Sequence, residues 1–312
     1  MNVKISHFNI VLFGVKKDTI ELYKKFRSDI DLVITLDSSE MKNYHISGGE
    51  NVSNSVDCEC FESNSYKLNS HECVSFFESN NFDLGIVYGW QRLIPQNVLD
   101  KFKFGVFGFH ASPLGLPFGK GRSPMNWSII LNFNQVYNHC FQYNADPDDG
   151  PIYSTTRLDI LPWDNINSLR EKSIIDAETK IYSLISDYKN GSLLLSHQDM
   201  SIPESFFPKR SPKDGEINLS KDTLTIYNLI RGISRPFPGA FILSKLGSKF
   251  TIWEAVPFSF ELYQDSSYKP GDVLRIFKDK TFLMRTSDGV LHVKDFEIDS
   301  VTLLEGANIM EI

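Results

Sequence analysis

Short apolar runs alternate with segments of helical periodicity along residues 1–195. Apolar runs bounded by glycine or polar residues are typical of buried strands, and apolar positions three and four residues apart are typical of amphipathic helices. The strands predicted in this way are 8–13, 31–36, 56–61, 82–88, 106–109, 138–143 and 152–158. The predicted helices carry Ile20 to Phe26, cover 70–80, begin near Pro95 and Met125, and run from a cap at Asp164 to a stop at Gly191. This alternation predicts an α/β fold with a doubly wound, mostly parallel sheet.

The pattern changes after residue 195. Residues 196–217 lack a periodic apolar pattern and are rich in serine, proline and basic residues, which predicts a linker. A helix over 223–233 and a rigid turn at Pro236 to Gly239 are followed by predicted short strands at 249–253, 273–277, 281–285 and 291–296. We therefore predict a larger α/β domain over 1–195, the linker 196–217, and a smaller β-rich, OB-like barrel domain over 218–312.

The candidate catalytic residues lie in the segment 105–150. His110 follows the predicted strand 106–109, and parallel α/β sheets bind their ligands at the carboxyl ends of strands. A turn rich in glycine and proline follows, and three carboxylates, Asp146, Asp148 and Asp149, then precede Gly150. A histidine and a carboxylate from two separate loops can meet there as a catalytic pair, although a lone histidine is about as often structural.

Composition narrows the function classes. The chain has 312 residues, 41% of them hydrophobic and 23% charged, which is typical of a globular protein. Its net charge of −7 weighs against extended nucleic-acid binding. The four cysteines lack paired metal-ligand spacing, and no glycine-rich dinucleotide fingerprint follows the first strand. We therefore expect no metal site. Because the sequence has neither a signal-peptide pattern at the start nor a membrane-spanning run, we expect a cytoplasmic protein without membrane insertion.

Several motifs together resemble the folate-dependent formyltransferases. They are His110-x-Ser112, Leu116-Pro117, Gly121-x-x-Pro124, Trp127 and the acidic loop that ends in Gly150. The stretch 207–217 is similar to the inter-domain segment of that family, and 231–241 is similar to its Arg…Pro-x-Pro-Gly-Ala sequence. The resemblance covers most of the chain and implies a Rossmann-like catalytic domain, an OB-like second domain and N10-formyltetrahydrofolate as formyl donor.

The resemblance also implies roles for particular residues. His110 and Asp148 correspond to the catalytic pair, and Asp149 and Asp146 are the fallbacks for the carboxylate. The loop that binds the pterin follows the strand 82–88. The residues expected to contact the folate are Tyr88, Gly89, Trp90, Gln91, Arg92, Leu93, Ile94, Asp146 and Gly150.

One position departs from the family. Its members carry an asparagine two residues before the histidine, where the amide helps to bind the carbonyl oxygen, but this chain has Gly108. Losing one such donor typically costs about 3–4 kcal/mol of transition-state stabilisation. Three accounts are open: another donor such as Asn126 or a backbone amide has taken over, the reaction depends more on His110 and Asp148, or the site is inactive.

Basic residues near the motif indicate an anionic acceptor. Residues expected to bind the acceptor are Ser112, Lys120, Gly121, Arg122, Lys209 and Arg210. Lysine and arginine at these positions suit a pyrophosphate, which favours a nucleotide-linked amino sugar and hence a sugar N-formyltransferase. The alternatives are a methionyl-tRNA formyltransferase, a carrier-bound aminoacyl acceptor and a non-catalytic folate- or nucleotide-binding module. Strand edges in the β-rich domain also allow a homodimer.

Overall fold

The computed structural model describes residues 6–44, 49–265, 267–298 and 302–312. Up to residue 207 the strands are β1 (His7–Phe13), β2 (Leu32–Leu36), β3 (Glu59–Ser63), β4 (Asn81–Val87), β5 (Val106–Ser112), β6 (Lys120–Gly121), β7 (Gln135–Gln142), β8 (Ile152–Asp159) and β9 (Phe206–Phe207). The helices of this part are α1 (Lys17–Lys25), α2 (Ser38–Asn43), α3 (His71–Glu78), α4 (Gln96–Leu99), α5 (Pro124–Ile130) and α6 (Ile166–Asn190).

Seven of these strands form one sheet in the order β3-β2-β1-β4-β5-β7-β8. The first five are parallel, and β7 is antiparallel to both β5 and β8. The chain moves outward from β1 to β3 and then returns to the other side of β1 as β4. The direction of winding therefore reverses between β1 and β4, and a crevice opens at their carboxyl ends.

Both faces of the sheet are buried, which explains why β1 reads as a continuous apolar run. Val11 and Phe13 pack on one face, with residues of α3 and α4. Ile10 and Leu12 pack on the opposite face, with residues of α1 and α6. The prediction of a doubly wound, mostly parallel α/β fold is confirmed.

Four local predictions need correction. The region after Asp37, predicted as a loop, contains α2, because Asp37 caps its amino end by accepting a hydrogen bond from the amide of Glu40. Strand β3 begins three residues and ends two residues later than predicted. The cap of α6 is Asn165 and not Asp164. Strand β5 extends to Ser112 because β7 pairs with it along its length, so His110 lies within the strand.

The second part of the chain consists of a helix and an antiparallel sheet. Its elements are α7 (Thr223–Gly232), β10 (Ala240–Leu243), β11 (Lys249–Phe258), β12 (Val273–Ile276), β13 (Phe282–Arg285) and β14 (Val290–Ile298), with the sheet order β10-β11-β14-β13-β12. This confirms the predicted smaller β-rich domain. Within the predicted linker, β9 pairs with β6 and Pro212–Gly215 forms a 3-10 helix. No helix among the described residues is long and apolar enough to cross a membrane.

Candidate active site

A cleft of about 1140 Å³ opens at the carboxyl ends of β1 and β4 and extends over β5. Its walls come from the start of α1, the loop after β4, the turn before α5, the loop after β7, and the segment Pro236 to Pro238 of the second domain. Residues distant in sequence therefore meet around one cavity, at the place where an open α/β sheet binds ligands. Its volume lies slightly above the usual range for small-molecule sites, about 300–1,000 Å³.

His110 and Asp148 contact each other at the wall of this cleft. Nδ1 of His110 lies 3.3 Å from Oδ1 of Asp148. Nε2 of His110 donates a hydrogen bond to the carbonyl oxygen of Gly119, at 2.8 Å, because a carbonyl can only accept. Asp148 lines the cleft, whereas the imidazole lies behind it and His110 is only 7% exposed. The carboxylate therefore faces the cleft, and the histidine contacts it from the protein side.

The surroundings of Asp148 keep it ionised. Burial acts to raise the pKa of its carboxyl, but the hydrogen bond and charge of His110 outweigh burial and lower that pKa, helped by the amide of Gly121. This amide donates to Oδ2 at 2.9 Å. Asp148 has a positive φ of 54°, a conformation that aspartate tolerates better than most residues. An ionised Asp148 pairs with Nδ1 when that nitrogen is protonated, so the two side chains can hold and release one proton.

The loop after β4 forms another wall, as expected for a pterin-binding segment. The amide of Gln91 donates to the hydroxyl of Tyr66, and the Arg92 guanidinium lies over the Tyr66 ring, 5.1 Å from its centroid. Along the described residues no partner bonds to the main-chain amides of Arg92, Leu93 or Ile94. The buried indole N–H of Trp90 is likewise unpaired. The cleft wall therefore offers main-chain donors, and the indole N–H of Trp90 is buried within that wall.

Not every residue assigned to the folate site lies at the cleft. Gln91 to Ile94 and Asp146 do line it. Tyr88 lies beneath this loop, where its carbonyl accepts from the hydroxyl of Thr19 at 2.7 Å, and Gly89 supplies a turn with φ of 90°. Gly150 is buried, and its carbonyl accepts from Gln198 at 3.0 Å. Tyr88, Gly89 and Gly150 therefore shape the loops.

Two residues predicted to bind the acceptor are engaged elsewhere. Lys120 is 2% exposed, and its ammonium donates to Asp149 at 2.8 Å and to Glu204 at 2.7 Å. Ser112 is fully buried and donates to the carbonyl of Phe118. Neither lines the cleft, because carboxylates and carbonyls of neighbouring segments take up their donors. This corrects both assignments.

Of the four other residues predicted to bind the acceptor substrate, two line the cleft and two lie in the predicted linker. Gly121 and Arg122 line the cleft. Lys209 and Arg210 do not; the Arg210 guanidinium lies 5.9 Å from the centroid of the Trp127 ring on α5. Asn126 lines the cleft, but its side-chain amide donates to the carbonyl of Gly232 at 2.7 Å.

Three cationic residues at the cleft were missed by sequence reasoning. Lys16 and Lys17 follow β1 at the start of α1, and Arg170 reaches the cleft from α6. Burial and the charge of Arg170 lower the pKa of Lys16. Arg170 also lies 3.5 Å from Asp18. The signal for Lys16 and Lys17 was their place directly after the first strand, beside the point where the winding reverses.

An α/β sheet with a cleft at its winding reversal and a histidine–carboxylate pair at the wall of that cleft is an arrangement typical of an enzyme active site. Residues 14–185 match the family model for "Formyl transferase", and residues 209–311 match that for "Formyl transferase, C-terminal domain". The chain belongs to the formyl transferase family.

Solved structures with the same fold are distant in sequence. HypX from Aquifex aeolicus in complex with tetrahydrofolic acid is 16% identical with a TM-score of 0.64; the match covers 93% of this chain and 44% of HypX, so the chain spans less than half of that protein. An N-formyltransferase from Helicobacter canadensis, in complex with folinic acid and dTDP-3-aminofucose, is 14% identical with a TM-score of 0.61, covering 92% and 99% of the two chains. Methionyl-tRNA formyltransferase from Clostridium thermocellum is 18% identical with a TM-score of 0.56, covering 93% and 98%.

Proposed function

We propose that this protein transfers a formyl group from N10-formyltetrahydrofolate to the amine of a nucleotide-linked amino sugar. The observation that carries the proposal is the His110–Asp148 pair, with 3.3 Å between Nδ1 and Oδ1, at the wall of a cleft of about 1140 Å³ in a chain of the formyl transferase family. In such a cleft a donor and an acceptor can be held side by side, which removes much of the entropic cost of their reaction.

The loop Trp90 to Ile94 is the proposed folate contact. Its unpaired main-chain amides can bind the polar edge of a pterin ring, and the apolar side chain of Ile94 lies in the same wall. The bound folate supplies an activated formyl group. The HypX and Helicobacter canadensis structures were determined with tetrahydrofolic acid and folinic acid, respectively, which supports folate as the donor.

Asp148 and His110 accept and transfer the proton that the attacking amine loses. A primary amine becomes more acidic as its nitrogen attacks a carbonyl carbon, so a nearby base speeds the reaction. The cleft-facing carboxylate of Asp148 accepts this proton, and the adjacent Nδ1 of His110 lets the pair pass it to N10 of the folate as the bond between N10 and the formyl carbon breaks. His110 helps to lower the pKa of Asp148, so its carboxylate is ionised before the reaction and can accept a hydrogen bond from the amine.

The charge of the cleft supports an anionic acceptor. Five cations line it, Lys16, Lys17, Arg92, Arg122 and Arg170, against the three carboxylates of Asp18, Asp146 and Asp148. Arginine binds phosphate through two parallel hydrogen bonds, and lysine adds a point charge. The Helicobacter canadensis enzyme was crystallised with a dTDP-linked amino sugar. The net charge of −7 weighs against tRNA, which is the acceptor named for the Clostridium thermocellum structure. A homodimer and a cytoplasmic location stay predictions.

The test is an assay with the formyl donor and a panel of UDP- and dTDP-linked amino sugars. We expect release of tetrahydrofolate together with one formyl group on a sugar amine, detected by mass spectrometry. Formylation of methionyl-tRNA alone would contradict the proposed acceptor. Thermal stabilisation by folate without turnover of any amine would indicate a binding module.

Two neighbouring aspartates provide a matched pair of variants. Asp148→Asn keeps the shape of the side chain but removes the base, so we expect kcat to fall about 100- to 10,000-fold. Asp149→Asn changes a residue that contacts Lys120, and we expect it to retain most of the activity. The two kcat values, measured with one acceptor, decide which carboxylate acts. A larger loss for Asp149→Asn would reverse the assignment.

A further inference from the structure

Gly108 lies where the family carries an asparagine whose amide helps to bind the carbonyl oxygen. On β5, Gly108 and His110 are two residues apart, so their side-chain positions share one face of the strand. A donor for the formyl oxygen is needed on this face, because negative charge develops on that oxygen as the amine attacks. Glycine has no side chain to provide it.

The side chain of Tyr143 fills the space above Gly108. Gly108 pairs with Phe141 of β7, and Tyr143 lies two residues beyond Phe141, so it is the diagonal neighbour of the glycine across the two strands. A Cβ atom on residue 108 would lie less than 3.0 Å from the Tyr143 hydroxyl oxygen and from two of its ring carbons. The tyrosine therefore occupies the volume that an asparagine side chain would need.

The Tyr143 hydroxyl is a free donor at the cleft. Tyr143 lines the cleft, and its ring packs on Phe141 with the centroids 5.1 Å apart. Across the described residues no atom hydrogen-bonds to its hydroxyl, while its main-chain amide donates to Val106. Burial, followed by the charge of Asp148, raises the pKa of the hydroxyl, so it keeps its proton near neutral pH.

The side chains of His110 and Asn126, the other side-chain candidates for this donor, are already engaged. Nε2 of His110 donates to the carbonyl of Gly119, and Nδ1 faces Asp148. The side-chain amide of Asn126, which the sequence suggested as a replacement, donates to Gly232. We propose that the Tyr143 hydroxyl replaces the missing asparagine amide and donates a hydrogen bond to the formyl oxygen as its negative charge develops. This assignment rests on the proposed formyl transfer.

The direct test is Tyr143→Phe, which removes one oxygen atom and keeps the ring. We expect kcat to fall roughly 100- to 1,000-fold with little change in the KM of either substrate, because the bond strengthens only as charge develops. Tyr188→Phe is the matched control: its hydroxyl donates to Asp83 at 2.7 Å, away from the cleft, and kcat should stay unchanged. A parental kcat in Tyr143→Phe overturns the assignment.

A second pair of variants tests whether the Tyr143 side chain and an asparagine side chain at position 108 compete for the same space. Gly108→Asn alone crowds the tyrosine and should lower activity. The double variant Gly108→Asn/Tyr143→Ala has room for the asparagine and should be at least about tenfold more active than Tyr143→Ala, since it regains a donor. No recovery in a double variant that folds, judged by circular dichroism, counts against the assignment.

A binding measurement separates this assignment from the proposed function. If the parent formylates no amine, the proposed function fails, and the affinities for 10-formyl-5,8-dideazafolate and for its unformylated form still test Tyr143. A preference for the formylated ligand that falls roughly two- to tenfold in Tyr143→Phe supports a hydrogen bond to the formyl oxygen. If the parent and Tyr143→Phe prefer the formylated ligand by the same factor, the assignment of Tyr143 is overturned.

Discussion

At the scale of single residues, the neutral imidazole of His139 lies directly across from His110 on β7. Its Nε2 accepts a hydrogen bond from the amide of Leu116 at 3.1 Å, and its Nδ1 donates to the hydroxyl of Thr155 at 2.8 Å. Burial, together with the nearby charges of His110 and Lys180, lowers the pKa of His139 to about 3. The strand beside the proposed catalytic pair therefore contains a histidine that folding keeps uncharged near neutral pH.

This histidine predicts how stability depends on pH. Its pKa is lower in the folded than in the unfolded protein, so the unfolded state binds more protons below about pH 6.5, and stability is lost as pH falls from there toward 3. Between about pH 7.5 and pH 5 we expect the unfolding free energy of the parent to fall by about 2 kcal/mol more than that of His139→Gln. Urea unfolding at both values measures the difference, and parallel pH profiles would contradict it.

Sequence reasoning identified His110 and Asp148 because the family resemblance marks both and the fold brings them together. It assigned Lys120 to the acceptor because nothing local shows that Glu204, 84 residues away, pairs with its ammonium. It did not propose Tyr143, since the hydroxyl reaches Gly108 only through the register of β7 against β5. Contacts that depend on strand register or on distant partners are not readable from local patterns.

At the scale of elements, the predicted linker holds the acidic loop in place. Gln198 donates to the carbonyls of Asp148 and Gly150. Strand β9 pairs with β6, and the Lys120 ammonium bridges Asp149 of the loop and Glu204 of the linker. These contacts hold the main chain on both sides of Asp148, the proposed catalytic carboxylate, so the segment after residue 195 helps to support the candidate site.

Lys120→Met distinguishes two roles for Lys120, which are support of the acidic loop and binding of the acceptor substrate. Its partner side chains are about half exposed, so removing the ammonium should lower the unfolding free energy by only about 1–2 kcal/mol. We expect a lower kcat and an unchanged KM for the acceptor, because the ammonium holds the loop and does not reach the cleft. Arg122→Met, which alters a cleft residue, should raise that KM instead. A rise in KM for Lys120→Met would restore its predicted role as a phosphate ligand.

Most elements of the α/β domain could be predicted, because buried parallel strands are continuous apolar runs. Helix α2 could not: it has no buried residue, so no apolar periodicity marks it. The two-residue strands β6 and β9 also lack a signal of their own, since each depends on the other for its hydrogen bonds. The elements that the sequence missed are those held by capping or pairing and not by a buried face.

At the scale of the whole molecule, the second domain helps to form the cleft. Pro236 to Pro238 line it, and Tyr227 of α7 donates through its hydroxyl to the carbonyl of Pro162 at 2.6 Å. Asn126 connects α5 to the carbonyl of Gly232 at the end of α7. The sequence predicted two domains but not this contact, because it requires knowing how α7 packs on α5. The cleft therefore depends on the joining of the two parts.

Arg231 is the central residue of this contact, and Arg231→Met tests it. Its guanidinium is buried and donates to the carbonyls of Leu161 and Asp164 and to the side chain of Asn228. Arg231→Met leaves these buried oxygen atoms without a hydrogen-bond donor, so the unfolding free energy should fall by about 2–4 kcal/mol. Because Pro236 to Pro238 would then shift, kcat/KM should fall as well. Arg235→Met is the matched control, since that arginine pairs with Asp295 and Glu297 at the surface and should change stability little. Equal losses for the two variants would mean that the buried contact does not hold the domains together.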